Sequence, residues 1–244
     1  MEKVEWGRGD RVVLVHGDVH DGPMTFAAQE PLAASYRLVL LNRRGFGNSP
    51  DVEGEDFDVD AEDVAEVLSE APAHLVGHSY GGVVSLLAAA RAPDSVRSLT
   101  VFEPPAFGLV ADNPVVQRFV ADVRALLAQE QTPEEFLPRF IAAVGGDSAR
   151  LPTPLPPPLV RAAGVLMRGR RPWEAVVPLD ALARSTYPKL VISGGHSALF
   201  DAVCDVLEAR LPARREVFRG AGHSIPTLGG PVNACLSSFW ESAA

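Results

Sequence analysis

The stretch AHLVGHSYGGVVSLLAAARAP, residues Ala73 to Pro93, changes grammar twice. Ala73 to Val76 is a short apolar run with the character of a buried strand. Gly82 to Arg91 is rich in Leu and Ala, which are strong helix formers, and reads as a helix. Between them stands one serine among glycines, Gly77-His78-Ser79-Tyr80-Gly81-Gly82. A serine between a buried parallel strand and a helix lies at the carboxyl edge of the sheet, where open α/β folds place their ligands. A turn that tight pushes the serine into a strained backbone conformation. Gly77 and Gly81 leave room where side chains would strike the neighbouring strand and helix.

The same alternation extends in both directions. Arg11 to Val15, Arg37 to Leu41, Ser98 to Phe102, Lys189 to Ile192 and Arg215 to Phe218 are further short apolar or β-branched runs. Near-continuous apolar strands suit a parallel sheet covered on both faces. Val4 to Trp6 adds an antiparallel edge strand. Helical patterns fall between them, over Pro23 to Ala34, Val59 to Glu70, Ala198 to Leu211 and Val232 to Ser242. Strand alternating with helix predicts an α/β fold. Between Pro104 and Pro188 no strand is read, and so long a connection implies an insertion with structure of its own. Helical patterns at Pro114 to Gln129, Pro133 to Val144 and Val160 to Arg168 make that insertion helical, with LPTPLPPPLV as a stiff wall inside it. The division is residues 1–104 and 186–244 for the core and 105–185 for the insertion.

G-x-S-x-G between a strand and a helix is a nucleophile elbow. No Lys follows it, as a phosphate-cradling loop requires. With LVHG after an early strand, NRRGFGNSP after the next and GAGHSIP near the end, the sequence resembles the α/β-hydrolase fold superfamily over essentially its whole length. The resemblance implies a mostly parallel twisted sheet with helices on both faces and residues 105–185 as a helical cap. It implies Ser79 as nucleophile and His223 as its base, because the superfamily's chain order is serine, acid, histidine. The oxyanion donors it implies are the backbone N–H groups of Tyr80 and Asp18. For the Asp18 carboxylate the expectation is an Asx-turn fixing its own loop.

The acid is where the pattern departs. After KLVIS the superfamily carries an aspartate, and here the turn reads Gly194-Gly195-His196-Ser197. Glu103, ending the strand before the insertion, stands at the alternative acid position of haloalkane dehalogenases and some lipases and is preferred. Asp201 is the alternative, Asp205 should point away, and a Ser–His dyad without an acid is the third reading. Ser79 itself excludes chemistry that needs an aspartate nucleophile. Arg43 and Arg44 are expected in structural ion pairs, His16 in shaping its turn, and His74 at the surface before its strand. His16, Asp18 and His20 lie close in sequence but lack a metal-ligand motif, so no metal and no cofactor is implied.

Net charge is −9 over 244 residues with no basic block, which argues against nucleic acid and anionic membranes as partners. Two distant cysteines, Cys204 and Cys235, and no secretion signal point to a reduced, cytoplasmic protein. Phe107, Phe119, Phe136, Phe140, Leu166, Met167 and Trp173 are expected mainly as cap core, with some lining an apolar pocket. The expected activity is serine-dependent hydrolysis of a small, largely apolar ester, thioester or lactone. A cofactor-free perhydrolase or lyase on the same fold is the alternative, and a non-catalytic ligand-binding homologue is the alternative of another class. The partner is a small-molecule substrate, and the sequence sets no oligomeric state.

Overall fold

A computed structural model describes residues 1–243. The apolar runs form seven strands of one sheet: β1 (Glu2–Trp6), β2 (Asp10–Val15), β3 (Tyr36–Asn42), β4 (Ala73–His78), β5 (Val96–Phe102), β6 (Lys189–Ser193) and β7 (Arg214–Val217). Their order is β1-β3-β2-β4-β5-β6-β7. Only β1 pairs antiparallel, with Val4 opposite Leu40 on β3, and the other pairings are parallel. The carboxyl ends of β2, β4, β5 and β6 therefore point the same way, and the loops that leave them meet over one edge.

Nine helices are found among the described residues: α1 (Gly22–Thr25), α2 (Phe57–Glu70), α3 (Tyr80–Arg91), α4 (Pro114–Leu127), α5 (Pro133–Ala143), α6 (Pro157–Arg168), α7 (Leu179–Arg184), α8 (Ala198–Arg210) and α9 (Gly230–Glu241). Side-chain alternation along the strands decides which helices cover which face. Val13, Val15, Leu75 and Val101 pack with α2, α3 and α8. Val12, Leu14, Val76 and Phe102 face the opposite way, onto α9 and the segment from Phe26 to Tyr36. None of these helices is long and apolar enough to cross a membrane.

The connection from β5 to β6 holds α4 to α7, and Leu126, Phe136, Leu137, Leu159, Ala163 and Leu166 give it a core of its own. Its two ends pack back on the sheet, for Phe107, Val116, Val177 and Leu182 belong to the core over α3 and α8. Thr132 and Glu135 close a capping box at the start of α5, so that helix begins where its sequence says it should.

Two expectations are corrected. Pro23 to Ala34 is not one helix. α1 ends at Thr25, and Ala27–Ala34 is a 3-10 segment with Pro31 inside it; proline supplies no N–H for a helix interior and clashes with the preceding turn. His74 is not at the surface before its strand but within β4, 2% exposed, bonded to Ser98 Oγ at 2.8 Å and stacked on Trp240. A polar ring is tolerated there because Ser98 on the adjacent strand satisfies it.

The β4–α3 bend rests on the absence of two side chains. A Cβ on Gly81 would strike the Val15 and His16 carbonyls, and one on Gly77 would strike the Gly81 carbonyl and Ser85 Oγ. Backbone cannot yield as a flexible side chain can. Gly81→Ala is expected to cost about 2–3 kcal/mol, lowering the thermal midpoint by about 4–12 °C in a domain of this size. Thermal melting by circular dichroism checks it.

Candidate active site

Ser79 sits on that bend with φ 55° and ψ −126°, a region that L-residues occupy only when the surroundings enforce it. Two hydrogen bonds do so: its N–H donates to the Phe102 carbonyl at 2.8 Å, and its carbonyl accepts from Gly82 N–H at 2.7 Å. The hydroxyl is left at the sheet edge, 2.9 Å from His223 Nε2. His223 comes from the loop after β7, 144 residues later in the chain.

On the other side of the imidazole, Nδ1 lies 2.7 Å from Glu103 Oε2. A carboxylate accepts, so Nδ1 carries the proton and Nε2 offers a lone pair to the Ser79 hydroxyl. Glu103 follows β5 directly and is fully buried, with φ 41°. Its N–H donates to the Ile192 carbonyl at 3.0 Å, and its Oε1 accepts the Gly194 N–H at 2.7 Å. His196 Nδ1 is a further 3.4 Å neighbour of Oε1. Burial raises the Glu103 pKa, and the Gly194 hydrogen bond acts against it. Burial also pushes His223 down, with the His196 ring beside it acting the same way, so the imidazole is neutral at neutral pH. Phe200 stacks on the His223 ring at 4.3 Å and 18°.

The two other carboxylates considered for the acid lie elsewhere. Asp201 accepts from Ser193 Oγ at 2.8 Å and from Arg215 at 3.1 Å, and Asp205 is 3.7 Å from the same guanidinium. Ser197, at the position where an aspartate is usual, is the N-cap residue of α8 and makes no side-chain capping bond. The turn Gly194-Gly195-His196-Ser197 thus meets Glu103 through a backbone N–H and an imidazole. In the sequence it signalled only a missing acid. Gly194, His196 and Phe200 had no signal of their own, because their relation to Glu103 and His223 arises across strands.

The loop after β2 closes the other side of the serine. A Cβ on Gly17 would lie 3.0 Å from Ser79 Cβ. The Gly17 carbonyl accepts from Arg43 Nη2 at 2.9 Å and from His16 Nδ1 at 2.7 Å. His16 Nε2 in turn accepts the Arg43 backbone N–H at 3.0 Å, which fixes one tautomer. The Gly17–Asp18 peptide is trans, so holding its carbonyl toward Arg43 turns the Asp18 N–H the opposite way. Among the described residues no backbone carbonyl takes the amide of Asp18 or of Tyr80.

Arg43 is the hub beneath this loop. Fully buried, it pairs with Asp60 at 2.8 Å, Glu55 at 3.1 Å and Asp18 at 3.4 Å, and lies over the Tyr80 ring at 4.3 Å. Burial opposes its charge, but the three carboxylates outweigh burial and hold it protonated. Burial raises Asp18 to about 6, with Arg43 pulling it down. The Asp18 carboxylate is therefore turned onto a guanidinium rather than into an Asx-turn. Arg44 pairs with Asp63 at 2.7 Å.

Over Ser79 opens a cavity of about 600 Å³. Phe107, Phe119, Phe136, Phe140, Leu166 and Trp173 all line it, and Met167 does not. More of the aromatic set faces the cavity than composition suggests, although Phe136 and Phe107 are also core residues.

A family model described as Alpha/beta hydrolase family matches residues 12–231. The chain belongs to the alpha/beta hydrolase family. A pimeloyl-(acyl-carrier protein) methyl ester esterase of Aeromonas salmonicida is 37% identical over 151 residues, 59% of this chain and 58% of that protein. An enzyme of the same name from Aliivibrio salmonicida is 32% identical over a gapped alignment of 246 positions that covers 89% of this chain and 87% of that protein. The first alignment thus spans less than two thirds of the relative's length, and the second spans most of it. Among solved structures, an alpha/beta hydrolase from Sphaerobacter thermophilus superimposes with a TM-score of 0.69 at 24% identity, covering 98% of this chain and 95% of the other.

Arg43→Met is expected to lower stability by about 3–5 kcal/mol, because Asp60 and Glu55 are left buried without a counter-charge. A urea titration of the variant against the parent reads this as a lower midpoint.

Proposed function

We propose that the protein is a serine esterase in which Ser79 is the nucleophile, His223 the general base and Glu103 the acid that orients it. The observation that carries the reading is the unbroken line of contacts from Ser79 Oγ through the imidazole to Glu103, 2.9 and 2.7 Å long. A serine hydroxyl is a weak nucleophile at neutral pH and needs a base within reach. In this reading His223 Nε2 takes the hydroxyl proton as Oγ attacks the acyl carbonyl. Negative charge develops on the carbonyl oxygen, and the Tyr80 and Asp18 N–H groups receive it. Tyr80 opens α3, so the helix N-terminus adds its partial positive charge. Imidazolium then gives its proton to the leaving alcohol. A water molecule, deprotonated by the same nitrogen, hydrolyses the acyl-enzyme and restores Ser79.

Glu103 keeps the imidazole in the tautomer whose Nε2 is free, and it stabilises the imidazolium. The Arg43 guanidinium, shared with Glu55 and Asp60, lessens the opposition of the Asp18 carboxylate to the forming oxyanion. The cavity suits a substrate whose acyl part is mainly apolar, held by convergent aromatic walls. We assign residues 105–185 as the cap that supplies most of those walls, over a core of 1–104 and 186–244. The relatives named above act, by their names, on a methyl ester, which supports an ester with a small alcohol over a thioester or lactone.

Glu103→Gln is expected to lower kcat for p-nitrophenyl hexanoate by about 10³–10⁴, while Asp201→Asn stays within about threefold. The opposite order overturns the acid assignment. A fluorophosphonate should label the parent, and Ser79→Ala should abolish labelling.

The pH profile gives a second check. His223 lies below the ordinary histidine pKa of about 6.5, so kcat/KM should hold as pH falls through that value and decline only further into acid. Removing the Glu103 carboxylate makes imidazolium less favourable, so in Glu103→Gln the acid limb moves lower still. An upward move contradicts the pairing.

A further inference from the structure

The loop that carries His223 has two glycines with open space beside them, although the Gly222 carbonyl lies against Gly194. Gly220 and Gly222 have φ of 84° and 61°, and a Cβ on either would meet nothing within 4 Å. Within residues 219–224 the backbone hydrogen bonds are local, Ala221 N–H to the Phe218 carbonyl and Thr227 N–H to the Ser224 carbonyl. Among the described residues one hydrogen bond ties this stretch of backbone to another element. It comes from His78, whose Nε2–H donates to the His223 carbonyl at 2.9 Å. His78 is the residue before the nucleophile and occupies the variable position of the elbow.

The chemistry of that bond fixes the state of His78. A carbonyl only accepts, so Nε2 bears the proton and Nδ1 is the bare nitrogen; Nδ1 is buried with no partner. Burial, and then the nearby His223, push the His78 pKa down to about 3, which keeps the ring a neutral donor. The two rings lie 5.1 Å apart, tilted by 40°. The elbow thus holds the base twice: Ser79 meets its ring and His78 grips its backbone.

We propose that His78 is a positioning residue, whose Nε2–H anchors the His223 carbonyl and so holds the base at its working distance from Ser79. This rests on the reading of Ser79 and His223 as nucleophile and base. Two glycines make the loop's ordering entropically demanding, and a displacement of about 1 Å at a reacting group can cost about 10² in rate. The His78 bond acts on the loop backbone while Glu103 and Ser79 hold the ring, and it opposes that displacement along a wall of the cavity that His78 itself helps to line.

Three variants separate this role from a merely structural one. The amide nitrogen of Gln reaches about as far as histidine Nε2, whereas that of Asn reaches only about as far as Nδ1. His78→Gln should keep kcat within about threefold of the parent, while His78→Asn and His78→Leu lose about 10² in kcat, more than any change in KM. In His78→Asn and His78→Leu the acid limb of kcat/KM should rise toward the ordinary histidine value, because a freed loop lets water reach His223. Thermal melting of each variant tests folding, and should His78→Leu not fold, the Gln and Asn pair decides. Asn equal to Gln, or all three variants falling alike with an unchanged pH profile, overturns the proposal. Turnover by the parent that is unaffected by Ser79→Ala would instead remove the reading of the site on which it rests.

Discussion

The close approach of α3 to the carboxyl ends of β2 and β4 is the constraint on which the site depends. Gly81 lies against the Val15 and His16 carbonyls, and Gly77 against the Gly81 carbonyl and Ser85. With no side chain in either gap, the chain turns from strand to helix around Ser79 alone. The residue between them has to take up φ 55°, at a cost of about 1–3 kcal/mol. Bonds from Ser79 to Phe102 and Gly82, together with the complete burial of Leu75, Val76, Val83 and Val84, offset that cost. Loosening the contact would relax the serine and draw its hydroxyl away from His223.

Three further elements converge on the hydroxyl, each held by different chemistry. β5 delivers Glu103 into a dry position where the Ile192 carbonyl and Gly194 N–H leave one carboxylate oxygen for His223. The loop after β2 is held by the buried guanidinium of Arg43, which binds the Gly17 carbonyl and the Asp18 carboxylate at once. The loop after β7 brings His223 between the Phe200 face and the His78 donor. Charge follows the same plan: Arg43 gathers Asp60, Glu55 and Asp18 beneath the loop, and beside Ser79 stand a neutral imidazole and two backbone amides that no backbone carbonyl takes among the described residues. That balance suits a reaction in which negative charge appears and disappears on one oxygen.

Local features were legible in the sequence, and features created by strand register were not. The glycine–serine turn, the apolar strands and the glycine-flanked His223 each follow from a few adjacent residues, and the structure puts Ser79 and His223 together as that reading expects. The sequence favours Glu103 over Asp201 without deciding between them, because the choice depends on how the ends of β5 and β6 align. Nothing near residue 201 announces that Arg215 and Ser193 claim its carboxylate. The burial of His74 is hidden in the sequence for the same reason: its partners, Ser98 and Trp240, are 24 and 166 positions away. In the sequence His78 is no more than the first variable position of G-x-S-x-G, since its acceptor is a backbone carbonyl from the far end of the chain. The sequence suggests an ion pair for Arg43, but its hold on the Gly17 peptide has no trace in composition or spacing.

The central claim is that Ser79 and His223 act as one unit, the hydroxyl useless without the imidazole. It is tested most directly by kcat/KM for ester hydrolysis in Ser79→Ala, His223→Ala and the double variant, with melting curves to show that all three fold. Residues that act together lose their contribution together, so the double variant should be no slower than the worse single one. Losses that multiply, leaving the double variant slower than either single by the product of their effects, would show independent roles and contradict the account.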